Sequence, residues 1–229
     1  KQLLIRGVKG SRKVILTEEG MILRKRAEEM LLLMRRTKEE ITGSNETIAG
    51  NVFIGTGETE TVRLFAKVAK KLQQKYPDIR YNISSGNAEH VLEYLDKGLI
   101  DFGLLFTEID PQKYEAIPVP IQDTWGVLMR KDSPLAEKET ICPEDLWDKP
   151  LIVSHQKGDD VYLNQWLQRE ESELHIVATY NLLFNASLLV DEGLGYALCY
   201  DKLINTKGSN LCFRPFSPRL EAHGFIVWK

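Results

Sequence analysis

The spacing of hydrophobic and polar positions changes along the chain, and the N-terminal part predicts a hairpin followed by a long helix. Residues 6–16 combine a glycine-rich polar turn with the β-branched run Val14-Ile15-Leu16, which is typical of a hairpin. Thr17 is a favourable helix N-cap, and the two glutamates after it suit the positive end of a helix dipole. We therefore expect a helix that runs to about Ile41 and ends near Gly43.

Apolar residues of this helix recur at alternating intervals of four and three, which is the spacing of a heptad seam. The seam is shorter than the roughly three to four heptads of a confident coiled coil. The seam could pack against either of two partners, namely a helix of a second chain or the body of its own chain. The seam consists of Leu23, Ala27, Met30, Met34 and Ile41, with Thr37 in the series.

From residue 50 the pattern changes to short apolar runs that alternate with amphipathic stretches. Strands are expected at 52–54, 79–84 and 100–106, with helices of ordinary length between them. Strands separated by such helices predict β-α-β units, and hence an α/β protein with a mostly parallel sheet.

The alternation pauses at residues 117–121, where Pro118 and Pro120 remove two donors that a central strand would need. We interpret this extended segment as a crossing between two lobes. A second series follows, and the segments 211–214 and 225–228 are expected to be strands that return to the first lobe. In this second series the predicted strands are 125–129, 151–153, 176–180 and 196–199, and the predicted helices are 143–147, 159–168 and 186–191.

Composition is that of a globular protein, with 43% hydrophobic and 28% charged residues. No apolar run is long enough to cross a membrane, and the first residues do not resemble a signal peptide. Cys142, Cys199 and Cys212 are odd in number and widely spaced, which predicts reduced thiols in a cytoplasmic protein. Neither the cysteines nor the four histidines have the spacing of a metal site, so no metal or other cofactor is expected.

Charge is distributed unevenly along the chain. The formal net charge is −3, yet residues 1–44 carry eleven Lys or Arg against six Glu. A basic end on an acidic body indicates contact with a polyanion at that end only. A solvated basic end without a partner is the alternative. The bases that would meet the polyanion include Arg6, Lys9, Arg12 and Lys13.

The sequence contains no nucleophile elbow, phosphate-binding P-loop, EF-hand or zinc-protease motif. The segment 55–60 (GTGETE) follows a predicted strand, but it lacks the third glycine of a dinucleotide fingerprint and places a carboxylate where a pyrophosphate would bind. Glu58 and His155 are the ionisable candidates for catalysis, and neither has the partner that a catalytic base needs. We therefore expect that the protein is not an enzyme.

Polar residues follow four predicted strands at the point where each strand ends. Each of these residues either caps the next helix or presents hydrogen-bond donors to a ligand. Ligands of open α/β sheets bind at the carboxyl ends of the strands, so the four junctions together favour a small-molecule cleft between the lobes. The residues concerned are Thr56, Glu58 and Thr59; Ser85, Gly86 and Asn87; Ser154 and His155; and Asn181.

Several motifs, in order, resemble the LysR-type transcriptional regulators. Residues 6–7 (RG) and 14–20 (VILTEEG) resemble the wing and the start of the linker helix, whose usual form is V-x-L-T-x-A-G, with Glu19 in place of the alanine. The resemblance extends over nearly the whole chain. Its further landmarks are 50–55 (GNVFIG), 76–79 (YPDI), Gly86, Leu92, 98–104 (GLIDFGL), 133–135 (SPL), 144–146 (EDL), Val190 and 193–198 (GLGYAL).

The resemblance implies two Rossmann-like lobes, similar to a type 2 periplasmic binding protein, with a small-molecule effector in the cleft. It also implies a homodimer or homotetramer joined through the linker helix, and DNA binding through an N-terminal winged helix-turn-helix of which only the wing is present. A final C-terminal helix is also expected to be missing. By position in the family, Thr107 joins the effector-binding residues named above.

The resemblance divides the chain into three parts. Residues 1–16 correspond to the remnant wing, 17–44 to the linker and dimerisation helix, and 50–229 to the effector-binding domain. Lobe I is expected at 50–120 and 210–229, and lobe II at 121–209. Glu58 at the cleft disfavours a strongly anionic effector and indicates a neutral, zwitterionic or cationic one. A solute-binding protein for transport, or an enzyme on the same two-lobed fold, is the alternative function.

Overall fold

The structure is a computed structural model that describes residues 1–6, 14–42, 48–154 and 160–229. Contacts divide the chain into an N-terminal unit, 1–51 with 78–80, and a larger unit, 52–77 with 81–229. Four predicted site residues lie outside the described residues. They are Lys9, Arg12, Lys13 and His155.

The N-terminal unit contains the hairpin and the helix that the sequence predicts. Strands β1 (Leu4–Arg6) and β2 (Val14–Leu16) pair antiparallel. Helix α1 (Glu18–Thr42) follows directly. The Thr17 hydroxyl accepts a hydrogen bond from the backbone N–H of Gly20 at 3.0 Å, which is the predicted N-cap.

The apolar seam of α1 is exposed in the single chain. Leu23, Met30, Met34 and Ile41 expose 48%, 61%, 62% and 77% of their surface, respectively, and Ala27 is half-buried. Thr37, the polar member of the series, donates its hydroxyl to the Leu33 carbonyl one turn earlier, at 3.0 Å. The helix therefore presents a continuous apolar stripe that is available to a partner helix.

The larger unit alternates strands with helices, and it also has three short 3₁₀ helices at Pro134–Glu137, Pro143–Asp145 and Glu171–Glu173. Its strands, the first two of which begin in the N-terminal unit, are β3 (Gly50–Thr56), β4 (Ile79–Ser85), β5 (Phe102–Leu105), β6 (Glu115–Arg130), β7 (Leu151–Ser154), β8 (Ile176–Tyr180), β9 (Tyr196–Tyr200), β10 (Leu211–Pro215) and β11 (Glu221–Trp228). Its helices are α2 (Val62–Lys75), α3 (Ala88–Asp96), α4 (Asp160–Leu167) and α5 (Leu183–Asp191).

The strands follow the order β4-β3-β5-β11-β6-β9-β7-β8, with β10 also paired to β6. Strand β6 links two groups of strands, because its first part, up to Thr124, pairs with β11, and its last part, from Trp125, pairs with β9 and β10. Strand β11 runs antiparallel to β6 and returns to β5. The two groups of strands, which we call lobe I and lobe II, are therefore joined by β6, and the chain returns from lobe II to lobe I between β10 and β11.

The observed pairings differ from the expected fold at three places. The segment 117–121 is part of a continuous strand, and its prolines are tolerated because this part of β6 pairs on one side only, with Pro118 opposite Phe225. The expected mostly parallel sheet is wrong, because β6 and β11 run antiparallel to their neighbours and make the sheet mixed. The expected return of 211–214 to lobe I is also wrong, because β10 pairs with β6 between Gly126 and Arg130, beside the strands of lobe II.

Each lobe has its own hydrophobic core. In lobe I, Val91 and Leu95 of α3 pack with Leu105 and Val227. In lobe II, successive residues of the strands belong to two different clusters, for example Leu151 and Val153 in one and Ile152 in the other. Since side chains alternate between the faces of a strand, the lobe II sheet is covered by apolar side chains on both faces.

Candidate functional site

A cavity of about 50 Å³ lies at the strand ends of both lobes. Lobe I contributes the residues that follow β3, β4 and β5, and lobe II contributes those that follow β7, β8 and β9. We call this cavity the cleft. Its lining comprises Gly57, Glu58, Gly86, Ala88, Leu104, Leu105, Phe106, Thr107, Trp125, Ser154, Tyr180, Asn181, Leu183, Cys199, Tyr200 and Leu203.

Five of the predicted effector-binding residues line the cleft. Glu58, Gly86 and Thr107 reach it from lobe I, and Ser154 and Asn181 reach it from lobe II. The carboxyl ends of the parallel strands bring them together, as the strand-to-helix junctions predicted. The structure therefore places predicted residues of both lobes around one cavity.

Four other predicted residues are described but are not among the lining residues, and three of them make hydrogen bonds within the protein instead. The buried Thr56 hydroxyl donates to the carbonyl of Gly57 at 2.9 Å. Asn87 caps α3, where its side-chain oxygen accepts from the His90 N–H at 2.9 Å. The Thr59 hydroxyl donates to the Asp123 carboxylate, as described below. Ser85 is exposed at the end of β4. For Asn87, capping is the role that the structure shows.

A hydrogen bond joins the two lobes directly at the cleft. Oε2 of Glu58, in the loop after β3, accepts the backbone N–H of Leu183, the first residue of α5. The first N–H groups of a helix lack partners within the helix, and the helix dipole favours a negative charge there. Glu58 of lobe I thus satisfies the N-terminus of a lobe II helix.

Aromatic rings form one wall of the cleft, and the sequence analysis, which considered only polar strand ends, missed them. The ring centroid of Tyr200 lies 5.7 Å from that of Phe106 and 4.5 Å from that of Trp125. Tyr180 also lines the cleft, and its hydroxyl donates to the Leu198 carbonyl at 2.7 Å. Phe106, Tyr180 and Tyr200 lie at or next to predicted strand ends, so extending the strand-end criterion to aromatic residues would have found them.

A buried carboxylate lies on strand β6, two residues before the cleft-lining Trp125. Asp123 is 5% exposed, and the Thr59 hydroxyl donates to its Oδ2. The same hydroxyl accepts the Thr61 N–H at 2.9 Å. Burial, aided by repulsion from Glu60, raises the pKa of the Asp123 carboxyl above its ordinary value. The bond fixes the loop before α2 to the strand that joins the lobes.

Cys199 lines the cleft but is not prepared for nucleophilic chemistry. Burial, with a smaller contribution from Asp201 and Glu58, raises the pKa of its thiol far above the usual range. The thiol therefore stays protonated at neutral pH, and it contributes an apolar surface to the cleft.

The described residues contain no group of three His, Cys, Asp or Glu side chains that is placed to hold a metal ion. Within the same ranges, no helix combines the length and the apolar character that crossing a membrane requires.

A second, larger cavity of about 1110 Å³ adjoins the cleft. Phe106, Thr107 and Trp125 line both cavities. The second cavity extends along β6 and β11, past Glu115 at the start of β6, to Tyr162 of α4. This volume is slightly above the roughly 300–1,000 Å³ of typical ligand sites, whereas the cleft itself is far smaller.

Comparison with known proteins gives a family match. The family model of the LysR substrate binding domain matches residues 45–229. Among curated proteins, the uncharacterized HTH-type transcriptional regulator YvbU of Bacillus subtilis (strain 168) is 25% identical over 185 residues, which cover 81% of this chain and 62% of YvbU. The DNA-binding transcriptional dual regulator OxyR of Escherichia coli (strain K12) is 28% identical over 144 residues, covering 62% of this chain and 47% of OxyR. The chain spans about three fifths of the length of the first of these relatives.

Solved structures of LysR family regulators share the fold. CbnR, a LysR family transcriptional regulator, superposes with a TM-score of 0.74 at 15% identity, over 93% of this chain and 75% of CbnR. The OxyR C206 mutant of Corynebacterium glutamicum gives a TM-score of 0.68 at 22% identity, over 100% of this chain and 71% of that structure. The expected two-lobed α/β fold, similar to a type 2 periplasmic binding protein, is thereby confirmed.

Proposed function

This chain belongs to the LysR substrate binding domain family, and from that premise we propose its role. We propose that it is the effector-sensing and oligomerisation portion of a LysR-type transcriptional regulator. The resemblance found in the sequence motifs is confirmed by the family match. Since the relatives are transcriptional regulators, the expectation that the chain is not an enzyme is also confirmed. A regulator of bacterial transcription works on DNA in the cytoplasm, and we propose that location for this protein.

The observation that carries the proposal is the cleft, which is lined by both lobes and crossed by the bond from Glu58 to Leu183. A small molecule bound there contacts both lobes, so its affinity depends on how the lobes are arranged. A ligand that binds one arrangement better shifts the population toward it. Such a shift is the means by which an effector would change subunit packing and, through it, DNA binding.

The size of the cleft is consistent with a closed arrangement. A volume of about 50 Å³ holds a few water molecules, and a metabolite needs several times more. We propose that the lobes part to admit the effector and close on it again. Glu58, Gly86, Thr107, Ser154 and Asn181 would then contact it.

Oligomerisation is proposed to use the exposed seam of α1. Met30 and Met34 expose most of their surface at adjacent seam positions, where a second helix would cover them. We expect M30E/M34E to lower the molar mass of the assembly measured by light scattering, because burying two unpaired charges in a helix seam has a large desolvation cost. K25E, which adds a glutamate on the opposite side of the helix, is the control. An unchanged assembly state in M30E/M34E would contradict the role of the seam.

DNA contact is proposed for the intact regulator only. Arg6, Lys9, Arg12 and Lys13 supply the positive charge that the N-terminal hairpin would bring to the DNA backbone. Sequence-specific binding is assigned to a winged helix-turn-helix domain. The relatives are longer than this chain and have room for such a domain.

A thermal-shift screen with a library of metabolites tests the proposal. A compound at 100 times its dissociation constant should stabilise the protein by about 2.7 kcal/mol. For a chain of this size, that is a rise in the melting temperature of about 5–10 °C. N181A should reduce the rise, and S85A, whose residue is exposed and not among the cleft-lining residues, should leave it unchanged. The absence of any stabilising compound, or equal loss in both variants, would overturn the proposal.

A further inference from the structure

Among the residues that the structure describes, the charged side chains that line the cleft and the adjoining cavity are acidic. Among the described residues that line the cleft, Glu58 is the charged one, and the adjoining cavity adds Glu108, Glu115 and Glu221. No lysine or arginine is among the described lining residues of either cavity. Arg219 approaches from outside the lining and pairs with Glu221 at 3.0 Å. The remaining carboxylates give the connected cavities an excess of negative charge, which attracts cations and repels anions.

The N-terminus of α5 would be the natural place for the carboxylate of an anionic ligand, but it is already occupied. Oε2 of Glu58 accepts the Leu183 N–H, so the protein's own carboxylate holds that position. Oε1 of Glu58 has no hydrogen-bond partner among the described residues. This oxygen is an acceptor at the cavity surface that suits a ligand N–H.

The aromatic wall suits a cation as well. Tyr200 is in ring contact with both Phe106 and Trp125, at centroid distances of 5.7 and 4.5 Å, respectively. The faces of aromatic rings attract ammonium groups, and groups of such rings recognise alkylammonium ligands. Phe106 and Trp125 also line the larger cavity, so an apolar group attached to the ammonium could extend into it.

We propose that the effector of this protein is an organic cation, with an ammonium group that Glu58 binds and an apolar body that packs on Phe106, Trp125 and Tyr200. This inference rests on the proposed function, because it names the chemical class of ligand that the cleft takes. It treats Glu58 as the residue that selects the charge of the effector.

Three probes of similar shape and different charge test the inference. Benzylamine is cationic at pH 7.5, benzyl alcohol is neutral and benzoate is anionic, and calorimetric titration of the whole chain measures each of them. We expect benzylammonium to bind at least tenfold more tightly than benzyl alcohol, and benzoate to bind more weakly than either. This ranking requires no variant, so it stands even if a substitution unfolds the protein.

A pair of variants then assigns the selectivity. E58Q removes the charge and keeps the shape, and we expect it to weaken benzylammonium at least tenfold while benzyl alcohol changes less than twofold. E139Q alters an exposed glutamate that lines neither cavity and should leave all three affinities unchanged.

The outcomes separate this inference from the proposed function. Tighter binding of benzoate, no binding of benzylammonium, or an unchanged benzylammonium affinity in E58Q would overturn the cationic effector. An anionic metabolite whose binding is weakened by N181A would overturn it too, and would leave the proposed sensor in place. A metabolite library without any stabilising compound would overturn the sensor itself.

Discussion

Replacing Thr59 with valine tests the buried connection between the loop before α2 and the crossing strand β6. The hydroxyl of Thr59 donates to Oδ2 of Asp123 and accepts the Thr61 N–H at 2.9 Å. Valine has nearly the same shape, so it removes both hydrogen bonds without opening a cavity. The effect on stability therefore comes from two buried polar groups, the Asp123 carboxyl and the Thr61 N–H, which each lose the hydrogen bond to this hydroxyl.

The expected cost follows from those two groups. A buried donor or acceptor without a partner costs about 1–3 kcal/mol, and a charged one costs more. T59V should therefore lower the free energy of unfolding by about 2–5 kcal/mol. For a chain of this length, the melting temperature should fall by about 5–15 °C.

Urea unfolding at 25 °C and a thermal scan measure the effect. T56V is the matched control, since Thr56 is also buried but donates only to the neighbouring Gly57 carbonyl, and its loss should cost about 1 kcal/mol. A double-mutant cycle of T59V with D123A should show a coupling of about 1–3 kcal/mol, because alanine removes the acceptor of the bond that the two residues share. Equal destabilisation by T59V and T56V, or no coupling with Asp123, would refute the reasoning.

Three further predictions concern charge, packing and thiol access. Because the pKa of Asp123 is raised, its carboxyl holds a proton more tightly in the native state than in the unfolded state. The stability that this proton contributes is lost as the pH rises above the ordinary pKa of about 3.9. The melting temperature of D123N relative to wild type should therefore increase from pH 4 to pH 7, and a constant difference would contradict the raised pKa. Phe216 is 2% exposed, and its ring stacks on that of Trp166 with the centroids 3.8 Å apart. F216A should therefore lower the free energy of unfolding, measured in urea, by about 3–5 kcal/mol. F184A, at a 62% exposed position, should lower it by less than about 0.5 kcal/mol. Cys142 is exposed and the other two cysteines are buried, so a thiol reagent should titrate one group in the native protein and three in denaturant; rapid native reaction of all three would contradict the burial.

Much of the fold can be predicted from local patterns. The hairpin, the capped helix α1 and the alternation of strands and helices all depend on residues close together in the sequence, such as Thr17 with Gly20. The pairing of β10 could not be predicted in this way. A short apolar strand such as 211–214 fits either lobe, and its partner is decided by pairing with β6, which is distant in the sequence.

The polar half of the cleft could also be predicted, and the rest could not. Glu58, Gly86, Thr107, Ser154 and Asn181 follow strands, so topology alone brings them together. Asn87 fits the same pattern but caps α3, because a side chain next to a helix start satisfies backbone donors first. The bond from Glu58 to Leu183 depends on how the two lobes meet, and no local pattern encodes that contact.

Hydrogen–deuterium exchange, with and without the first compound that stabilises the protein, tests most directly whether a ligand binds between the lobes. We expect slower exchange on both sides of the cleft, in the segment 56–59 of lobe I and in the segment 180–184 of lobe II. Protection confined to one lobe, or to residues outside the cleft, would contradict a ligand that is held between the two lobes.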